Sequence, residues 1–176
     1  MLAFLRRGGA LRLGQAGARD TSADPGRNAA VSYWLGAARF YLLDERFEQF
    51  LAVRLPTSLD LNDSVGSNKR LDAWMRSTEG QLTALNESYE EVRRMEQEAA
   101  PWALAASARV AQTSEHLAQL LRGAELPMRL RRSSRKDIDA YCRSLHDEAQ
   151  PFEDEAVAAF GFCLNLSTSL NAFDKS

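Results

Sequence analysis

Apolar residues recur at helical spacing along most of this chain, and the clearest pattern follows residue 134. Two sets of positions, which begin at Ile138 and at Cys142 and each repeat every seven residues, are apolar throughout. The sets lie three or four residues apart, so they share one face of a helix. Because the phase continues across Pro151, the pattern predicts one long helix that is kinked near Pro151, where the proline removes an amide donor.

An earlier helix is predicted from Asn28. Asn28 can cap its first turn, and Pro56 closes the helix because it disfavours helical backbone at Leu55. The spacing predicts an apolar stripe along this helix with larger apolar residues beside it; the stripe is Val31, Leu35, Ala38, Leu42 and Phe47, and its flanking residues are Trp34, Tyr41, Phe50 and Leu51. Turn-forming residues over 57–66 then predict a loop.

Two further helices are predicted before residue 124. The second helix runs from about Asn68 to Glu98, and its seam repeats every seven residues at positions 71, 78, 85 and 92 and at positions 75, 82 and 89. The third begins at Pro101, which is suited to a first turn, and stops at Gly123, which we expect in a left-handed conformation. Its predicted apolar stripe consists of Trp102, Ala106, Val110, Thr113, Leu117 and Leu120.

The predicted fold class is all-α, because no stretch of useful length alternates apolar and polar residues as a strand does. Four long helices with short connections favour roughly antiparallel packing, either as a bundle or as a tetratricopeptide-like helical array. We predict a single helical domain over residues 28–176. Residues 1–27 hold five of the ten glycines, and residues 1–19 have four arginines and no acid, so we predict a flexible tail there.

Composition and charge narrow the classes of function. The 176-residue chain has a formal charge of −2, which gives no overall attraction to a polyanion. No apolar run approaches the roughly 18 residues of a membrane-spanning helix. Two cysteines are too few for a disulfide framework. Arginine outnumbers lysine 19 to 3, which is typical of a GC-rich bacterial coding sequence.

Several short strings resemble a helical region of large tetratricopeptide-repeat (TPR) proteins of myxobacteria. In chain order they are 38–42, 50–53, 101–103, 124–127 and 139–142, followed by the stretch around Pro151 and by 160–165, 167–168 and 170–171. The likeness extends from about Ala38 to Phe173. It implies a non-enzymatic helical scaffold that binds other proteins, and it brings no catalytic motif.

Some of these TPR proteins are linked to envelope-spanning machinery such as gliding motility, so the resemblance also implies a cell-envelope or periplasmic location. The first residues do not follow the order of a secretory signal. Such a signal has a basic start and then an apolar core, whereas here the apolar stretch Met1–Leu5 precedes Arg6 and Arg7.

Four aromatic residues are the predicted anchors for a protein partner or for self-association. Large aromatic side chains dominate the binding energy of protein interfaces, and an amphipathic helix commonly docks on such a surface. The candidates lie at the edges of the predicted seams and are Trp34, Tyr41, Trp74 and Trp102. Core packing is the competing interpretation of the same residues.

A basic run after the third helix is the second candidate site. Its cations are Arg129, Arg131, Arg132, Arg135 and Lys136, which could contact phosphate groups, an acidic protein or anionic lipid. The run has no interleaved aromatic residue, which argues against nucleic acid as its ligand. A solvated loop is the competing interpretation.

A metal-binding or redox-active helical bundle is the third alternative, through Cys142 and His146 with Cys163 further along. These residues lack the paired ligand spacing of a zinc site, and neither histidine completes the Glu-x-x-His motif of di-iron bundles. Both cysteines are predicted to be small apolar seam residues. The sequence therefore predicts no catalytic residue, no metal site and no cofactor.

Overall fold

The computed structural model describes residues 25–56, 64–95 and 99–170, and most of these residues are helical. The helices are α1 (Pro25–Leu51), α2 (Ser64–Arg93), α3 (Ala100–Arg122) and α4 (Arg135–Ser169), with a short 3₁₀ turn at Leu130–Arg132 before α4. Within these ranges there is no β-strand. The predicted all-α fold class is confirmed.

Helix α3 lies at the centre of the fold. It packs against α1, α2 and α4, and α1 also packs against α2, whereas the backbones of α1 and α2 stay clear of α4. The α3–α4 pair has the most extensive contact, and along it Leu104 contacts Cys163 while Arg122 contacts Glu153. The predicted antiparallel packing of all four helices, as a bundle or as a TPR-like array, stays a prediction.

The inner face of α1 differs from the predicted one. The buried positions are Gly36, Ala37, Phe40, Phe47 and Phe50. Of the predicted stripe, Phe47 is buried, whereas Leu42 is exposed. The large rings of Phe40 and Phe50, which lie outside that stripe, bury more apolar area than its alanine and valine and help to determine which side of α1 turns inward.

The predicted seams of α2 and α3 are confirmed. All five predicted α2 positions from Thr78 to Val92 are buried, and four of the six predicted α3 positions are buried. The largest of these side chains join α1 in one core cluster, which contains Phe40, Phe47, Phe50, Leu82, Leu85, Tyr89, Val92, Val110 and Leu117.

Helix α4 continues through Pro151 without interruption, as the phase of its apolar repeat predicted. Ser134 caps it, because its hydroxyl oxygen accepts a hydrogen bond from the Asp137 amide at 3.3 Å. Ala149, Ala156, Ala159 and Leu166 of the predicted seam are buried. Cys142 is exposed, so its predicted place on the buried seam is wrong. The predicted kink stays a prediction.

The predicted helix ends differ in detail. Helix α1 begins at Pro25 rather than at Asn28, and it ends at Leu51. Gly123 does follow the last residue of α3, but its φ of −80° is an ordinary right-handed value, so the predicted left-handed stop is wrong. Residues 1–24 of the predicted flexible tail lie outside the described residues. None of the helices in the described part has the length and apolar character needed to cross a membrane.

Candidate interaction surface

Trp102, in the first turn of α3, is the centre of an aromatic cluster with α1. Its ring centroid lies 5.7 Å from that of Tyr33, 5.5 Å from that of Phe40 and 5.2 Å from that of Tyr41. Tyr33 in turn meets Trp34 edge to face at 5.2 Å. We refer to Tyr33, Trp34, Tyr41 and Trp102 as the aromatic patch.

The outer members of the aromatic patch face solvent. Trp34 is 68% exposed, Tyr41 is 60% exposed and Tyr33 is 37% exposed, while Trp102 is half-buried. An indole of which two thirds is in contact with water is unusual for a residue whose role is packing, because tryptophan is highly buried on average. The patch therefore combines two strongly exposed aromatic rings with the less exposed rings of Tyr33 and Trp102, which support them.

Gly36 allows the two helices of the patch to approach each other closely. A Cβ atom on Gly36 would lie 2.9 Å from the Cβ of Ala99 and 3.2 Å from Cδ1 of Trp102. Since real Cβ atoms do not approach other atoms this closely, the contact between α1 and the start of α3 depends on a residue without a side chain. This close contact brings the Trp102 ring within reach of Tyr33 and Tyr41.

The seam between α1 and α3 continues from the aromatic patch through Arg109. The guanidinium carbon of Arg109 lies 5.8 Å from the ring centre of Phe40 and 3.9 Å from that of Phe47. Its Nη2 also lies 3.8 Å from Asp44 Oδ1, and its Nη1 donates to Gln112. One planar cation thus covers two buried rings and presents its polar edge to the surface.

A shallow groove of about 290 Å³ follows along the same seam. Its walls include Glu48 on α1 and Arg109, Glu115 and His116 on α3. Burial is the main reason that the pKa of His116 is lowered, and the positive charge of Arg54 adds to this effect, while a hydrogen bond to the Val53 backbone opposes it. His116 is therefore a mainly neutral ring at the wall of a charged groove.

Several buried polar atoms of α1 and α3 have no hydrogen-bond partner, among them Asp44 Oδ1, Trp102 Nε1 and His116 Nε2, and the same holds for Tyr89 Oη on α2. Tyr89 lies behind Phe40, with 5.8 Å between the ring centroids, and its side chain is fully buried. Burial is the main cause that raises the pKa of Tyr89 to about 12. The phenol is therefore neutral at ordinary pH.

Trp74 does not belong to the aromatic patch. It is half-buried and packs against the core of the fold and against a smaller buried cluster formed by Ala118, Leu121 and Ala149. The structure thus brings three of the four predicted anchors together and places Trp74 among core residues.

The predicted cations after α3 lie on an exposed turn. Arg129, Arg131, Arg132, Arg135 and Lys136 are all exposed, and we refer to residues 125–136 as the basic turn. Arg131 Nε donates to the Leu126 carbonyl at 3.1 Å, and the Tyr141 hydroxyl of α4 donates to the Glu125 carbonyl at 3.2 Å. These bonds give the turn a defined backbone from which its cations project.

The residues of the metal or redox alternative do not form a site in the described structure. His146 Nδ1 lies 2.8 Å from Nη2 of Arg122, whose guanidinium is also paired with Glu153 at 2.6 Å. Cys163 is half-buried and its thiol donates to the Leu104 carbonyl at 3.8 Å, whereas Cys142 is exposed. In the ranges that the structure describes, no three His, Cys, Asp or Glu side chains are grouped to hold a metal ion.

Two surface features were missed in the sequence. Tyr33 belongs to the aromatic patch, and the spacing of seven residues among Tyr33, Phe40 and Phe47 could have indicated it. Helix α4 also carries an exposed apolar stripe of Val157, Phe160 and Leu164 on the side away from its buried seam. Apolar residues of the buried seam lie between those of the exposed stripe along the sequence, so the seam repeat alone does not reveal a second stripe.

Comparisons with protein-family models, with curated proteins and with solved structures found no match for this chain. The resemblance to TPR proteins of myxobacteria therefore stays a prediction.

Proposed function

We propose that this protein is a non-enzymatic, TPR-like helical scaffold that binds an amphipathic helix of a partner protein through the aromatic patch. The observation that carries the proposal is the exposure of two aromatic side chains seven residues apart on α1, Trp34 at 68% and Tyr41 at 60%. Exposed tryptophan and tyrosine rings with rigid support are the residues on which protein interfaces concentrate their binding energy.

The support beneath the exposed rings makes them suitable anchors. Trp102 contacts both Tyr33 and Tyr41, and Tyr33 contacts Trp34, so each exposed ring has at least one aromatic neighbour. Rings held in this way lose little conformational freedom on binding, which lowers the entropic cost of association. The close contact at Gly36 holds α1 and α3 together below the patch.

The groove next to the patch supports a helical ligand rather than a compact one. It extends the same seam of α1 and α3 beyond Arg109, with Glu48 and Glu115 at its rim. An apolar ridge on a partner helix would cover the aromatic rings, and basic side chains further along that helix would reach these two carboxylates. This arrangement follows the usual pattern of an apolar centre with a polar rim.

The proposal is tested with the double variant Trp34→Ala/Tyr41→Ala. Both side chains are exposed, so we expect the circular dichroism spectrum and the unfolding midpoint to stay near those of the wild type. Pull-down from the source organism should recover a protein with the wild type and lose it with the double variant. Phe160→Ala, which removes an exposed ring from α4, is the matched control and should retain the partner.

Two outcomes would overturn the proposal. Equal recovery with the double variant would remove the aromatic patch as the binding surface. Sedimentation equilibrium that shows a wild-type dimer and a monomeric double variant would make a second copy of this chain the occupant of the patch, in place of a partner protein.

A further inference from the structure

We propose that the basic turn docks on the anionic phospholipid surface of a membrane, with the side chain of Met128 entering the headgroup region. This surface lies in the connection between α3 and α4 and at the first two residues of α4, whereas the aromatic patch is formed by α1 and the start of α3. The inference therefore does not depend on the proposed function.

The charge of the turn favours an anionic ligand. Five exposed cations lie between residues 129 and 136, and the acidic residues nearest in sequence are Glu125, Asp137 and Asp139. Asp137 is engaged at the start of α4, where its carboxylate accepts a hydrogen bond from the Ser134 hydroxyl at 2.8 Å. The turn thus presents a local positive surface on a chain whose formal charge is −2, and anionic lipid surfaces attract such clusters.

The exposed apolar side chain of Met128 distinguishes lipid from other anionic ligands. Met128 is 70% exposed, and it lies immediately before the run of cations. A flexible apolar side chain at the start of a run of arginines matches an interface where acyl chains lie below phosphate groups. A nucleic acid would instead favour aromatic rings for base stacking, and residues 124–134 contain none.

Hydrogen bonds within the turn hold its backbone in a defined conformation. Amide-to-carbonyl bonds link Arg131 to Pro127 and Ser133 to Leu130, and the Ser133 hydroxyl donates to the Arg129 carbonyl. Because the turn is folded on itself, its cations are displayed together, and less conformational entropy is lost when they meet a surface.

Vesicle co-sedimentation of the full chain tests the proposal. We expect binding to vesicles of phosphatidylcholine with about a third phosphatidylglycerol, and no binding to phosphatidylcholine alone. The affinity should fall strongly between 50 and 300 mM NaCl, because salt screens exposed charges. Arg129→Gln/Arg132→Gln/Arg135→Gln should weaken binding about a hundredfold, at roughly a factor of five for each cation near the surface. Arg131 is kept, since it donates to the Leu126 carbonyl.

Two further variants serve as controls. The first tests whether the position of the lost charges matters, and the second tests whether the apolar side chain contributes to binding. Arg27→Gln/Arg76→Gln/Arg94→Gln removes the same net charge from exposed positions on α1, on α2 and just after α2, and it should bind within about twofold of the wild type. Met128→Gln, which keeps the charge of the turn, should weaken binding about tenfold at low salt, while its circular dichroism spectrum stays unchanged.

Several results would overturn the proposal. These are binding to neutral vesicles that equals binding to anionic ones, an equal loss in the control triple variant, and an unchanged affinity of Met128→Gln. Tighter binding to a single-stranded oligonucleotide than to anionic vesicles, with no effect of Met128→Gln, would assign the basic turn to nucleic acid instead.

Discussion

The guanidinium carbon of Arg109 lies 3.9 Å from the ring centre of Phe47, which is the shortest of the cation–ring contacts in the described structure. Phe47 is buried in α1, and Arg109 lies on α3 with about a third of its side chain exposed. An arginine therefore closes the outer edge of the core between these two helices, because its planar group can stack on a ring while its polar edge remains in water.

Arg109→Ala should lower the free energy of unfolding by about 1–2 kcal/mol, because both the stacked cation and the packed methylene groups are lost. Arg109→Lys should lose about half as much, since an ammonium group keeps the charge but not the planar stacking. Urea unfolding followed by circular dichroism measures both values. If the alanine variant were as stable as the wild type, the contact with Phe47 would contribute nothing to the fold.

Gly36→Ala should destabilise the protein by about 1–3 kcal/mol, because the new Cβ would lie 2.9 Å from the Cβ of Ala99 and would force α1 and α3 apart. Gly80→Ala is the matched control, since a Cβ there would have no neighbour within 4 Å. Alanine is the better helix former, so this control should stabilise the protein by about 0.5–1 kcal/mol. Thermal unfolding of both variants measures these effects. If the two unfolding midpoints shifted in the same direction, the close contact at Gly36 would be contradicted.

Tyr89→Phe should preserve or raise the free energy of unfolding, by up to about 1 kcal/mol. The hydroxyl of Tyr89 is buried and has no hydrogen-bond partner, so its removal abolishes a desolvation cost and leaves the ring contacts in place. The pKa of about 12 adds a test at high pH. The unfolded phenol ionises near its ordinary pKa of 10, so the wild type should lose stability above pH 10, and the phenylalanine variant should lose less.

His116→Gln should reduce the loss of stability at acid pH. Because the pKa of His116 is lowered in the folded protein, the unfolded chain binds a proton first as the pH falls below about 6.5. The histidine therefore favours unfolding increasingly below that pH, until the folded form also protonates. Urea unfolding at pH 7.5 and pH 5 should show a smaller difference for His116→Gln than for the wild type.

One outcome would contradict the role of His116 in this pH dependence. If His116→Gln and the wild type lost the same free energy of unfolding between pH 7.5 and pH 5, burial of the His116 ring would not contribute to acid destabilisation.

The seams of α2, α3 and α4 could be predicted from the sequence because each is marked by a regular repeat of apolar residues. Positions such as Leu85 and Leu117 have polar neighbours on the opposite face, so helical spacing alone identifies which side is buried. The path of α4 through Pro151 followed from the same regularity.

The inner face of α1 could not be predicted from spacing because both of its sides carry large apolar residues. Phe40 and Tyr41 are adjacent in sequence, yet Phe40 is buried and Tyr41 is exposed. The position of Trp102 and the absence of a side chain at Gly36 decide between the two sides, and both effects require the third helix to be in place. The exposed pair Trp34 and Tyr41 is visible only after that choice has been made.

The first turns of α4 extend past the end of α3, since Arg122 already meets α4 at His146. Residues 135–144 are exposed except for the half-buried Ile138 and Tyr141. Most substitutions in this projecting end would therefore have little consequence for folding. Over evolutionary time, the charge of the neighbouring turn can therefore change without a compensating change in the core.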